Sequence, residues 1–296
     1  MYKSGFIGII GRPNVGKSTL LNTLVGEKIA ITTSKPQTTR NRIMGIRNQA
    51  EGQMIFMDTP GIHKADSPLN RQMVNIARDT FRRVDVLLLL VDATASVHAS
   101  DRFIIQSLPE GAMPVILAIN KIDLMKKTQL LPLIDELHPL HPFAAIVPLS
   151  AQTGDGLPQL VTEILQTLPE GPVHFPEDTM TDASERFIAA EIIREKIILL
   201  TRQEIPYTTA VTVDAFKEDE PKRLIRIQAT IHVEKDSQKG ILIGKKGARL
   251  KEIGTKARID LEQFFNARIY LELFVRVQKD WTHDEKILKQ FGYFQK

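Results

Sequence analysis

Apolar residues recur along the chain in two rhythms. Up to about residue 168, compact apolar runs alternate with stretches whose apolar positions return every three to four residues. The runs Phe6–Ile10, Met54–Met57, Val86–Val91, Pro114–Ile119 and Ala144–Pro148 are strand-sized. Val86 to Val91 is apolar at every position, as a parallel strand buried on both faces requires. Helical spacing marks Ser18–Leu24, 67–83 (through Leu69, Met73, Ile76, Ala77 and Phe81), about 101–108 and about 128–138. A strand pair spans about 41–49 and 52–58, joined at Glu51-Gly52. Strand alternating with helix predicts a doubly wound α/β sheet over residues 1–170.

Residues 169–180 are Pro-rich and break both rhythms. We place a linker at 171–180 and a second, α+β domain at 181–296. Its first helix spans about 184–202, capped by Asp182 or Ser184, apolar through Phe187, Ile188, Ile192 and Leu199, and ended by Pro206. Two period-two stretches, 208–213 and 224–231, predict strands, with the charged segment Lys217–Arg223 turning between them. A short helix ends at Ile241-Leu242-Ile243. After Gly244-Lys245-Lys246-Gly247 comes a helix with Leu250, Ile253, Ala257, Leu261 and Phe264 on one face. A strand over 267–277 and a short C-terminal helix holding Trp281 complete the order α-β-β-α-α-β.

Composition narrows the class. The 296 residues contain no cysteine, which removes disulfide frameworks and Cys-ligated zinc and fits a reducing compartment. The N-terminal MYKSGFIGII enters the first strand with no cleavable signal pattern, and no apolar run is long enough to span a bilayer. The net charge of +4 falls wholly on the second half, since residues 1–178 are balanced. Lys239, Lys245, Lys246, Arg249, Lys251, Lys256 and Arg258 face one acid, Glu252, within 239–258. Such a concentration suits a polyanionic partner, although a charge run alone also suits a solvated helix face.

The chemistry begins at Gly11-Arg12-Pro13-Asn14-Val15-Gly16-Lys17-Ser18, the pattern G-x-x-x-x-G-K-[ST] between a strand and a helix. Glycine lets backbone N–H groups close on a polyphosphate, and the helix N-terminus adds partial positive charge. Lys17 is placed to reach the β- and γ-phosphates, and Ser18, next to Thr19, to ligand Mg²⁺. The Thr-rich segment 31–40 has neither rhythm and reads as a loop. Asp58-Thr59-Pro60-Gly61 closes a hydrophobic strand, so Asp58 can hold Mg²⁺ through water and the Gly61 N–H can meet the γ-phosphate. An N–H with a partner only in the triphosphate state makes a switch. Asn120-Lys121-Ile122-Asp123 follows the fourth run, Pro114–Ile119. A carboxylate at Asp123 accepts from guanine N1–H and its 2-amino group, a pair adenine lacks. Asn120 and Lys121 brace that loop. Ser150-Ala151, after the last strand of this half, means little by itself; beside these motifs it is the expected second support for guanine.

In order and spacing these motifs resemble the translation-factor-related class of P-loop GTPases over residues 5–168. The resemblance implies GTP and GDP as ligands, Mg²⁺ as cofactor, and a switch threonine within Gln37-Thr38-Thr39-Arg40. Thr39 is favoured, with Thr38 the alternative. Where many regulatory GTPases carry a water-orienting Gln, this chain has Ile62, which cannot hydrogen-bond water. Hydrolysis is then slow, or other groups place the water. Related GTPases with an asparagine at the position of Asn14 use it to ligand K⁺, which makes K⁺-stimulated hydrolysis the expectation; a plain turn residue is the alternative.

The second half resembles a K-homology (KH) RNA-binding domain of the bacterial, type II arrangement. In such domains a G-x-x-G loop closes on about four single-stranded nucleotides. Lys245 and Lys246 would meet phosphates, with Arg249 and Lys251 behind them, while an adjacent apolar groove including Ile243 takes the bases. The whole chain resembles a bacterial family of GTPases of small-subunit assembly, through Pro36–Arg40, Asp58–Gly61, His174–Asp178, Glu191–Lys196 and Ile243–Gly247. That resemblance implies binding to 16S rRNA near its 3′ end and to the small ribosomal subunit. It also implies a cytoplasmic location with a peripheral inner-membrane contact. The expected function is a GTP-hydrolysing RNA-binding switch. The rivals are an RNA chaperone with incidental hydrolysis and a GTPase whose basic domain meets lipid or protein.

Overall fold

The computed structural model describes residues 1–36, 38–61, 68–69, 71–73, 76, 83–108, 111 and 113–293. Its chain divides into two compact units. One gathers Met1–Ala30, Thr39–Ala65 and Met73–Asp182, the other Ile31–Thr38, Asp66–Gln72 and Ala183–Lys296, each over its described residues. A single cut at the Pro-rich segment therefore misses two segments: Ile31–Thr38, from the Thr-rich loop, and the described residues of Asp66–Gln72 group with the second unit.

The first unit is built on six strands: β1 (Lys3–Ile10), β2 (Ile43–Gln49), β3 (Gly52–Asp58), β4 (Val86–Asp92), β5 (Val115–Asn120) and β6 (Ala145–Pro148). Their order is β2-β3-β1-β4-β5-β6, with only β2 antiparallel to its neighbour. β4, apolar from Val86 to Val91, lies inside the sheet, with Val86 to Leu90 fully buried, as its pattern demands. Helices α1 (Lys17–Val25), α2 (Ala99–Gln106) and α3 (Leu130–Leu137) lie between strands, and α4 (Leu157–Thr167) follows β6. One core cluster joins Leu87, Leu89 and Val91 of β4 to Leu117 and Ile119 of β5 and Ile104 and Ile105 of α2. Met73, and Leu69 in the segment that groups with the second unit, are helical and buried, as the spacing predicts. Ala77 and Phe81 of that predicted helix lie outside the described residues.

The Pro-rich segment is tied down. Gln53 of β3, fully buried, accepts from the His174 and Phe175 N–H groups and donates to the Phe175 carbonyl. The Met180 carbonyl accepts from Ile46 N–H, and the Thr181 hydroxyl donates to the Met44 carbonyl. A buried amide with its hydrogen bonds made fixes a segment that has no periodic pattern of its own.

The second unit follows the expected order: α5 (Glu185–Leu200), β7 (Ala210–Asp219), β8 (Leu224–Val233), α6 (Asp236–Ile243), α7 (Ala248–Phe265), β9 (Arg268–Val277) and α8 (Glu285–Gln290). β8 lies between antiparallel β7 and parallel β9. The Ser184 hydroxyl caps α5 by accepting from Phe187 N–H. Three expectations need correction. α5 ends at Leu200, before Pro206. β7 runs to Asp219, because a bulge between Val213 and Ala215 resets the alternation that Asp214 breaks. Trp281 sits in a 3₁₀ turn ahead of the last helix, fully buried, with its indole N–H donating to the Thr208 carbonyl.

Candidate functional site

The phosphate loop connects β1 to α1. Gly11 has φ 147°, and a Cβ there would lie 2.5 Å from the Leu90 carbonyl oxygen. Gly16 has φ 102°, and a Cβ there would collide with the Asn120 amide. Only glycine fits either place. Asn14 is also left-handed, at φ 66°, a conformation asparagine tolerates. Val15 is fully buried beneath the loop.

Lys17 opens α1 and folds back over the loop, donating to the Gly11 and Arg12 carbonyls at 3.0 Å each. Burial brings its pKa down to about 8, against the pull of Asp58 and with a contribution from Arg12. Ser18 follows, and its hydroxyl donates to Asp58 Oδ2 at 2.6 Å and lies 2.9 Å from the Thr39 hydroxyl. Thr39 donates to the same carboxylate oxygen at 3.4 Å. Thr38 faces elsewhere, bonded to Thr33 and to the Lys35 carbonyl.

Asp58 is wholly buried, and its Oδ1 has no hydrogen-bond partner. Burial pushes its pKa up, opposed by Lys17, Ser18, Thr39 and Thr59. An orphaned carboxylate oxygen beside two hydroxyls is an all-oxygen donor set of the hardness Mg²⁺ requires. The residues present therefore fit the ion. Thr59 fixes the end of β3 by donating to the Ile9 carbonyl at 2.9 Å. Gly61 packs against the loop so closely that a Cβ would lie 2.8 Å from Pro13 N. Ile62 and Gln37 lie outside the described residues.

The expected base-recognition residues brace the same loop. Asn120 donates to the Val15 carbonyl at 2.7 Å and accepts from Ala151 N–H at 2.9 Å, joining three motifs through one amide. Lys121 donates to the Asn14 carbonyl and to Asp92. Asp123 is exposed in the 3₁₀ turn that follows. Ser150 is fully buried and its hydroxyl accepts from Thr153 N–H. Thr23 of α1, one turn beyond Thr19, donates to the Ala151 carbonyl.

Sequence reasoning passed over Asp92 and Arg12. Asp92 ends β4 directly opposite Asn120 in the register and pairs with Lys121 at 2.6 Å. Arg12 reaches Asp101, near the start of α2, at 3.2 Å. The available signal was an acid closing a wholly apolar strand.

In the second unit, the Gly244–Gly247 loop turns between α6 and α7. Gly244, Lys246 and Gly247 have φ 72°, 51° and 80°. A Cβ on Gly244 would lie 2.8 Å from the Arg249 Cβ. Lys245, Lys246, Arg249 and Lys251 are exposed. Beside the loop runs a groove of about 410 Å³ lined by Gly247, Leu250, Lys251, Gly254, Thr255, Arg258, Leu271 and Leu273. Its apolar floor comes from α7 and β9, and its lining does not include Ile243 or Arg249. Gly254 is a participant that the sequence did not single out: it lines the groove, and a Cβ there would meet Leu273 of β9 at 3.4 Å, ordinary packing distance.

A phosphate loop, a buried carboxylate with two hydroxyls, and a guanine-type N-K-x-D turn define a P-loop GTPase, and the second unit adds a type II KH fold. Residues 6–121 match the family described as 50S ribosome-binding GTPase, and residues 204–282 match the KH domain family. GTPase Era of Syntrophus aciditrophicus is 65% identical over 99% of this chain and 96% of its own length. That of Geobacter metallireducens is 56% identical over 99% and 98%. The chain belongs to the Era family of GTPases. Among solved structures, a variant Era of Aquifex aeolicus bound to GDP and AlF₄⁻ is 45% identical, with a TM-score of 0.95 over 99% of this chain and 100% of that one. An Era in complex with MgGDPNP and nucleotides 1506–1542 of 16S ribosomal RNA is 44% identical, with a TM-score of 0.95 over 100% of both chains. Among the described residues no helix is long and apolar enough to cross a membrane.

Proposed function

We propose that this chain is a GTP-driven switch that binds single-stranded 16S rRNA near its 3′ end during small-subunit assembly and rRNA maturation. The observation that carries it is the convergence of Ser18 and Thr39 on the orphaned Asp58 carboxylate, in a chain whose other unit presents a basic G-x-x-G loop beside an apolar groove. In this reading Lys17 and the loop N–H groups of Gly11 to Ser18 hold the phosphates, Ser18, Thr39 and Asp58 hold Mg²⁺, and Gly61 senses the γ-phosphate. Mg²⁺ supplies charge neutralisation to the leaving diphosphate. Asn120, Lys121, Asp123, Ser150 and Ala151 form the guanine seat. Lys245, Lys246, Arg249 and Lys251 neutralise RNA phosphates, while Leu250, Leu271 and Leu273 pack on bases. The Era–16S rRNA complex supports the choice of RNA.

The test is binding of a short single-stranded RNA matching the 16S 3′ tail, with a non-hydrolysable GTP analogue or GDP, in wild type and Gly247→Asp. Tight binding that needs the analogue and is lost in the variant is expected. Binding indifferent to nucleotide returns the reading to a plain RNA module.

A second part of the reading concerns the water-orienting group. The left-handed Asn14, its carbonyl held by Lys121, is proposed as a K⁺ ligand beside the phosphates. Turnover is expected to be faster in K⁺ than in Na⁺ buffer, and Asn14→Ala is expected to abolish the difference. Equal rates in wild type remove the proposal. The same reading places the protein in the cytoplasm with a peripheral inner-membrane contact, which flotation with anionic vesicles tests.

A further inference from the structure

Residues 31–38 lie in the sequence between α1 and β2 of the first unit, yet they fold with the second. Three polar tethers from α5 hold them there. The Thr32 N–H donates to Glu195 Oε1 at 3.1 Å. The Lys35 ammonium donates to the Ile198 carbonyl at 2.6 Å and to the Thr201 carbonyl. Those carbonyls are at the negative end of α5, where a cation is favoured. The third tether is Arg194, whose Nη2 donates to the Thr38 carbonyl.

Arg194 is 1% exposed. Its Nε and Nη2 meet Glu191 Oε1 and Oε2 at 2.7 Å each, a bidentate pair one turn away on the same helix. Its Nη1 is buried without a partner. Burying an ion pair gives little net stability and often costs some. Its more specific consequence is orientation: Glu191 fixes the guanidinium plane, and the guanidinium fixes one carbonyl. The segment is also tied to itself, since the Thr38 hydroxyl donates to the Lys35 carbonyl at 2.7 Å. Past the Thr38 peptide bond the chain re-enters the first unit at Thr39, whose hydroxyl stands with Ser18 and Asp58.

We propose that Arg194, oriented by Glu191 on α5 of the KH unit, is a positioning residue for the nucleotide site, with Lys35 as its second tether. By holding the Thr38 carbonyl it presets the neighbouring Thr39 hydroxyl for the Mg²⁺–triphosphate state. The proposal rests on the reading that Thr39 completes the Mg²⁺ shell. The clamp then acts on the GTP-bound form and leaves GDP affinity alone, because the threonine serves only the triphosphate state.

The experiment compares full-length wild type with Thr39→Ala, Lys35→Met, Arg194→Lys and the apolar replacement Arg194→Met with Glu191→Leu, which leaves no buried charge behind. Affinities for Mg²⁺–GDPNP and Mg²⁺–GDP are measured across a Mg²⁺ titration, with melting temperature as the structural control. The apolar pair is expected to lose about tenfold in Mg²⁺–GDPNP affinity, with GDP affinity and melting temperature little changed. Arg194→Lys, which keeps the charge and a donor group but not the fork that meets Glu191, restores part of the loss. Thr39→Ala effective with the apolar pair like wild type overturns the clamp alone. Thr39→Ala without effect overturns the Mg²⁺ reading and the clamp with it. Equal losses for both nucleotides also overturn it, as a structural effect. Should the apolar pair fail to fold, Lys35→Met decides: a selective loss of GDPNP affinity supports the clamp, and wild-type affinity overturns it.

Discussion

Asp123 is exposed and lies two residues past the left-handed Lys121 in a turn braced by Asn120, so its neighbours carry the loop. Asp123→Asn is therefore expected to leave the fold intact and to cost about a hundredfold in GDP affinity, since two hydrogen bonds to a charged acceptor are lost. The same variant should gain affinity for xanthosine diphosphate, and competition binding with the two nucleotides checks both directions. His232 allows a prediction of the opposite kind, on stability. It packs against Phe291 with ring centroids 4.3 Å apart and bonds the Thr212 hydroxyl at 2.9 Å. Burial brings its pKa down to about 4, with Asp214 pulling up and Arg276 pushing down. The unfolded chain therefore binds this proton in the range where the native state does not. Stability is expected to fall as pH drops from 7, by about 2 kcal/mol at pH 5, and to level off below about 4. Melting curves across that range check it, and His232→Gln should flatten the slope. Residues of the first kind were legible because motif chemistry names them. Arg12 and Asp92 were not, because their partners, Asp101 on α2 and Lys121 after β5, depend on which elements become neighbours.

At the scale of elements, the sheet of the first unit was legible because burial on both faces forces uninterrupted apolar runs, and β4 and β5 carry them. The second unit was harder. The β7 bulge hides half a strand behind a broken alternation, and the 3₁₀ turn at Trp281 has no period long enough to read. The groove beside the G-x-x-G loop was located only in part, since its floor joins α7 to β9 through a pairing that no local pattern reveals. Gly254 is the position where that joining can be tested. Glycine costs a helix interior up to about 1 kcal/mol, and here it lines the groove, where a Cβ would stand at ordinary contact distance from Leu273. Gly254→Leu is expected to fill the groove and lower RNA affinity about tenfold, with basal GTP hydrolysis unchanged. RNA titration alongside a turnover assay separates the two effects, and a parallel loss of hydrolysis would count against the groove as the binding surface.

For the whole molecule the decisive quantity is a coupling free energy, which the sequence does not encode in any one motif. If the switch reading holds, the nucleotide that strengthens RNA binding must itself be bound more tightly when RNA is present, by the same factor. A coupling of about 2 kcal/mol corresponds to roughly thirtyfold at both ends. Four dissociation constants therefore form a closed cycle: RNA with GDPNP-bound and nucleotide-free protein, and GDPNP with and without RNA. The expected outcome is two equal ratios, each well above one, and a second cycle with GDP whose ratios stay near one. The variants divide the cycle further. Gly247→Asp should weaken RNA binding in every nucleotide state, because an acid at the G-x-x-G loop repels phosphate whatever the first unit holds. A variant that removes a tether of residues 31–38 should instead shrink the ratio itself and leave RNA affinity of the nucleotide-free protein in place. A cycle whose ratios are both one in wild type would show that the two units bind their ligands independently, and would make hydrolysis a separate activity of the same chain.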